Sequence, residues 1–117
     1  MKNHKDLDVW KKSIELVEDV YRMTKNFPPE EQFGLISQMK RSAISISSNI
    51  AEGAGREGKQ EFKRFRSIAL GSLSELETQL IIAQRLKFLE EASVFDQIRD
   101  IRKMICGLIT YLKNRKL

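Results

Sequence analysis

Residues 38–66 read Gln38-Met-Lys-Arg-Ser-Ala-Ile-Ser-Ile-Ser-Ser-Asn-Ile-Ala-Glu-Gly-Ala-Gly-Arg-Glu-Gly-Lys-Gln-Glu-Phe-Lys-Arg-Phe-Arg66. They spell the end of one amphipathic helix, a glycine-punctuated turn, and the basic opening of a longer helix. Ile36, Met39, Ala43, Ile46 and Ile50 step by three and four, which aligns them on one helical face. Gly53, Gly55 and Gly58 lack a Cβ and reach positive φ cheaply, as a tight reversal requires. Gly53 is the natural residue to end the incoming helix. Asn49 and Glu52 are placed to fasten the turn by accepting from free N–H groups near Arg56. Seven cations surround it, Lys40, Arg41, Arg56, Lys59, Lys63, Arg64 and Arg66, against the three acids Glu52, Glu57 and Glu61.

Upstream, a first helix is expected from Asp6 or Asp8, with Trp10, Ile14, Val17 and Tyr21 as its apolar seam and Val9, Leu16, Val20 and Met23 beside it. Phe27-Pro28-Pro29 ends it, because the residue before a proline is pushed out of the α region. The second helix is expected to start at Pro29 or Glu30, with Phe33, Leu35 and Ile44 widening its stripe. Downstream, a third helix is expected from about Lys59 to Phe88, roughly 45 Å long at 1.5 Å per residue. Phe62, Ala69, Leu73, Leu76, Leu80 and Ala83 form its core stripe. Phe65, Ile68, Leu70, Ile81, Ile82 and Leu86 add more apolar surface than one contact face uses. A fourth helix is expected from about Ala92 to Lys113, on Val94, Ile98, Ile101, Ile105, Leu108 and Leu112, broadened by Phe95, Met104, Ile109 and Tyr111. Its tail, Lys113 to Leu117, is expected to fray. Gly71 and Gly107 lie inside helical patterns and suggest close helix contacts there.

Four helices with short links and no strand signal imply an all-α, antiparallel up-down-up-down four-helix bundle spanning residues 1–117 as a single domain. The surplus apolar surface on the last two helices points to homo-oligomerisation. A net charge of +5 favours polyanionic partners. The charge is uneven: residues 1–30 are neutral, whereas 40–66 carry +4 and 91–117 carry +3. The N-terminus lacks a secretory signal pattern and no apolar run is long enough to span a bilayer, so a soluble, cytoplasmic protein without a membrane role is expected. One cysteine, Cys106, excludes an intrachain disulfide and reads as inert core.

The chemistry-bearing residues are few. His4 is the one histidine, at a terminus expected to be mobile, so neither a zinc site nor histidine base catalysis is indicated. Glu75 and Glu77 lie two apart on a helix and point to different faces, which suits ion pairing better than a catalytic pair. The glycines of 53–58 follow a helix, not a strand, and do not make a phosphate loop. No catalytic residue, metal or cofactor is expected. The basic turn is the best candidate site: Lys59, Lys63 and Arg66 share one face, and a helix N-terminus favours phosphate. The alternative is a solvated helix end neutralised by Glu57 and Glu61.

Ser45-Ile-Ser-Ser-Asn-Ile-Ala-Glu-Gly53, Gly55-Arg56, Glu61-Phe62, Phe65, Ile68-Ala69, Gly71-Ser-Leu73 and Glu75-Leu-Glu-Thr-Gln-Leu80, with Trp10-Lys-Lys-Ser13, form one long pattern. The chain resembles the four-helix bundle proteins encoded in intervening sequences of bacterial large-subunit (23S) ribosomal RNA genes. That family is similar in turn to the accessory variability protein of diversity-generating retroelements, a basic homopentamer that associates with nucleic acid and a reverse transcriptase. The resemblance implies a pentamer that binds RNA or DNA, or alternatively a protein-interaction scaffold or adaptor. It implies no activity. Three positions depart from the pattern: Ser47 stands for a common proline, Gly58 for a capping Ser or Thr, and Lys87 for a small residue.

Overall fold

In the computed structural model, residues 3–56, 58–90 and 93–115 are described, with side chains described to Leu108 in the last helix. Among them, four α-helices follow one another: α1 Asp8–Thr24, α2 Leu35–Ala54, α3 Lys59–Arg85 and α4 Ser93–Arg115. Short 3-10 turns at His4–Asp6 and Pro29–Glu31 precede α1 and α2. Each helix packs on its neighbours in chain order, and α4 closes back onto α1. This is a four-helix bundle of 50 × 24 × 19 Å. Two contacts show that α2 and α3 run antiparallel. Ser45 meets Ser72 at 2.7 Å, and further along α2 the backbone at Gly53 lies against Phe65.

The interior follows the three-four spacing on α2, α3 and α4. Met39, Ala43, Ile46, Leu73, Leu76, Leu80, Ile98 and Ile105 are fully buried. On α1 the expected seam is displaced. Val9, Ser13, Leu16, Val20, Met23 and Thr24 are buried, while Trp10, Ile14 and Val17 are half-buried and Tyr21 is 40% exposed. Local hydrogen bonding lets this face be buried despite its two hydroxyls. Ser13 Oγ donates to the Trp10 carbonyl at 2.6 Å, and Thr24 Oγ1 donates to that of Val20 at 2.8 Å. A hydroxyl satisfied by its own helix packs like an apolar group, so two polar residues join the core.

Several other expectations change. Pro29 opens a 3-10 turn rather than α2, which begins at Leu35 after the break at Gly34 (φ −113°, ψ −108°). Glu31 Oε1 accepts from the free Leu35 N–H at 3.3 Å. The break throws Phe33 outward, where it is 95% exposed instead of widening the α2 stripe. Helix α3 ends at Arg85, not Phe88, because Lys87 takes φ 68°. The Phe88 N–H then reaches the Ala83 carbonyl at 2.9 Å and the Lys87 N–H that of Gln84 at 3.0 Å, a Schellman ending. Gly71 and Gly107 are exposed with open space where a Cβ would sit, so neither marks a close contact within the chain. Cys106 is exposed rather than core. Near the N-terminus Asn3 and Asp6 form a capping box around the 3-10 turn, and His4 stands edge-on to Trp10 at 5.1 Å. Helix α4 continues to Arg115, two residues past its expected end, while Ala92, Glu57, Lys116, Leu117 and the side chains from Ile109 onward lie outside what is described.

Candidate nucleic-acid interface

The turn between α2 and α3 is built differently from the sequence expectation. No glycine among the described residues takes a positive φ. Gly53 is buried inside α2, which continues to Ala54 with Gly55 as its right-handed cap. The Gly53 Cα marks a close crossing instead, since a Cβ there would stand 3.1 Å from the Phe65 Cβ. Gly58 is the extended residue just before α3 (φ −84°, ψ 143°), with open space around it. The N–H groups of Gly55 and Arg56 are met by backbone: Gly55 donates to the carbonyls of Ala51 and Glu52, and Arg56 to that of Gly53.

Asn49 and Glu52 therefore do not accept from the turn. Asn49 Nδ2 donates back to the Ser45 carbonyl at 2.8 Å and to Ser45 Oγ at 3.0 Å. With the Ser45–Ser72 contact, these residues form a polar bridge between α2 and α3. Glu52 sits 3.7 Å from the Arg56 guanidinium on the exposed surface.

The seven cations do not form one cluster. Lys40 and Arg41 lie about 20 Å up α2 from the turn, by the helical rise. Lys40 Nζ stands 4.5 Å above the Tyr21 ring, on the α1 side. Arg66 is half-buried about two turns into α3, and its Nε is buried without a partner among the described residues. Arg56, Lys59, Lys63 and Arg64 remain together, all exposed at one end of the bundle. Arg56 and Arg64 hold their guanidiniums 5.2 and 5.1 Å from the ring centre of Phe65. Phe65 is buried, so it positions two cations rather than offering a face for base stacking. Glu61 is 4.0 Å from Arg64. The Glu52–Arg56 and Glu61–Arg64 pairs are long and exposed, the kind worth about 0–1 kcal/mol, and a phosphate can displace them.

Glu77 binds Arg102 across α3 and α4 at 2.8 Å, both half-buried, and Glu75 is exposed on another face. Of the basic residues on α4, Arg99 is held by Asp96 at 3.1 Å and Asp100 at 3.6 Å. Among the described residues, no group of three His, Cys, Asp or Glu could hold a metal ion. No described helix is long and apolar enough to cross a membrane.

The sequence reading missed the outward Phe33 and the three cation–ring contacts. Phe33 sits between Gln32 and Gly34 in a stretch of polar and turn-forming residues, and that setting is a local sign of exposure. The Lys40–Tyr21 contact joins residues distant in sequence and the Arg56–Phe65 contact crosses the turn, so neither leaves such a sign.

Fold and surface together define a basic, all-α bundle with exposed cations at one end. The chain belongs to the family described as 23S rRNA-intervening sequence protein, whose profile matches residues 5–108. A solved structure of a protein of unknown function from the S23 ribosomal protein family of Bacteroides thetaiotaomicron superposes with a TM-score of 0.79. It is 25% identical, over 87% of this chain and 95% of the other. No curated protein matches the sequence.

Proposed function

We propose that the protein is a non-catalytic homo-oligomer, a pentamer by the family likeness, that binds the phosphate backbone of RNA or DNA with little regard to sequence. The observation that carries the binding is the group Arg56, Lys59, Lys63 and Arg64, exposed together at the opening of α3. Repeated around an oligomer, such a group contacts many phosphates at once, and multivalency raises affinity steeply. Self-association is supported by apolar side chains left in solvent on α3, with Ile68, Ile82 and Leu86 each more than a third exposed. A cytoplasmic setting suits a single exposed thiol.

Gel shifts across a salt series test the binding. Arg56→Ala, Lys59→Ala and Lys63→Ala each weaken RNA and DNA binding about equally for all sequences. Each also lowers the slope of log affinity against log salt by about one per contact per subunit. Arg99→Ala and Lys103→Ala leave binding unchanged. If only that second pair matters, the interface is on α4. Absence of any salt-sensitive binding by the wild type would favour the second reading, a protein-interaction scaffold or adaptor such as for a reverse transcriptase, which the exposed Phe33 supports.

A further inference from the structure

Phe33 is the most exposed large apolar side chain among the described residues, at 95%. The turn that carries it is held in one shape. Pro28 and Pro29 fix the backbone ahead of it. Gln32 and Gly34 donate their N–H groups to the carbonyls of Pro29 and Glu31, at 3.0 and 3.1 Å. A ring displayed on a fixed turn has little conformational freedom left to lose on binding, which suits an interface anchor. Its surroundings are acidic. Phe27, just ahead of the turn, packs on Phe88 at a centroid distance of 5.7 Å, so the α1–α2 and α3–α4 links meet at one end of the bundle. Residues 25–39 and 87–98 together carry five acids, Glu30, Glu31, Glu90, Glu91 and Asp96, against Lys25 and Lys87, a net −3 in a chain of +5. Asp96 is taken by Arg99 at 3.1 Å, and Glu31 accepts from the Leu35 N–H. Glu30 and Glu90 are exposed and make no ion pair among the described residues.

We infer that this end of the bundle docks a basic partner protein, with Phe33 filling an apolar pocket ringed by Lys or Arg side chains. Charge complementarity selects that occupant. A phosphate backbone and an anionic lipid surface carry the same sign as this end and are repelled by it. A second copy offers cations at Arg56, Lys59, Lys63 and Arg64, but the ring among them, Phe65, is buried and already faced by Arg56 and Arg64. The 20 residues of α2 set Phe33 and the Arg56 group about 30 Å apart, at opposite ends of that helix. The partner and a polyanion therefore bind without competing, and the bundle links the two. The inference goes beyond nucleic-acid binding and does not depend on it.

Placing the photoreactive residue p-benzoylphenylalanine at position 33 of the full chain, expressed in its native cells and irradiated there, tests the contact. The expected product is an adduct with one other protein, which is then purified and titrated by calorimetry against the wild type and its variants. Phe33→Ala is expected to weaken that binding about 30-fold or more, the effect of losing an interface anchor. Phe33→Trp keeps an aromatic anchor and restores most of it. Glu30→Lys and Glu90→Lys each weaken it about 3- to 10-fold, and that loss shrinks at high salt. Arg56→Ala, at the other end, leaves it unchanged. All four positions are exposed, and thermal melts confirm that each variant folds. An adduct of twice the 13.6 kDa chain mass that contains only this chain assigns Phe33 to a second copy and overturns the inference. So does an adduct with nucleic acid, the absence of any adduct, or a partner whose affinity is indifferent to Phe33→Ala or to both charge reversals. Each of these results leaves phosphate binding by the Arg56 group standing, because the gel shifts read that group separately.

Discussion

Replacing Lys87 with glycine should stabilise the protein. Lys87 is the one non-glycine residue with positive φ among those described, at 68°. An L-residue with a Cβ loses roughly 1–2 kcal/mol in that conformation. It is held there because the Schellman ending directs Phe88 back toward the core, where its ring meets Phe27 at a centroid distance of 5.7 Å. Leu89, just beyond, is buried. Glycine removes the steric term but forfeits about 0.5–1 kcal/mol of chain entropy, leaving a net gain on the order of 0.5–1 kcal/mol. Lys87→Ala is the control. It keeps the Cβ and removes the same charge from the C-terminal end of α3, so the glycine–alanine difference isolates the backbone term. Far-UV melts at one protein concentration should place the glycine variant about 2–5 °C above the alanine variant. Equal melting temperatures would refute the left-handed ending and place the end of α3 elsewhere.

Two further substitutions probe the α2–α3 turn. Gly53→Val forces a branched side chain into the crossing where even a Cβ would approach Phe65 to 3.1 Å. A loss of about 1–3 kcal/mol is expected in urea unfolding, and an unchanged midpoint would show that the crossing is not tight. Gly58→Ser places a hydroxyl at the extended N-cap of α3 with Glu61 three residues on, completing a capping box in open space. Because glycine is already a tolerable cap, the gain should be a few tenths of a kcal/mol. A lower melting temperature would mean that α3 begins at another residue.

The all-α bundle and the number and order of its helices were legible in the sequence because apolar residues at three-four spacing admit little else once only two prolines interrupt the chain, whereas the start of α2 and the end of α3 were not. The core faces of α2, α3 and α4 follow from that period, as Met39, Leu73 and Ile98 illustrate. Where sequence reasoning went astray, side-chain hydrogen bonds to the local backbone, close helix crossings and helix length had the deciding role. The buried face of α1 runs through Val9, Leu16, Val20 and Met23, and Ser13 and Thr24 can join it because their hydroxyls bond to their own helix, which leaves Tyr21 uncovered. Gly53 looked like a helix terminator but serves a crossing, a fact that exists only when Phe65 is brought against it. Seven nearby cations in the sequence became a group of four, because α2 carries Lys40 and Arg41 about 20 Å from the turn and Arg66 turns into a half-buried position on α3. Sequence by itself thus determined the helices and the family pattern, both properties of local periodicity. Which cations share a surface, which aromatic ring faces water and which glycine touches a neighbour were decided by tertiary packing, since each depends on distances between residues that the chain order does not contain.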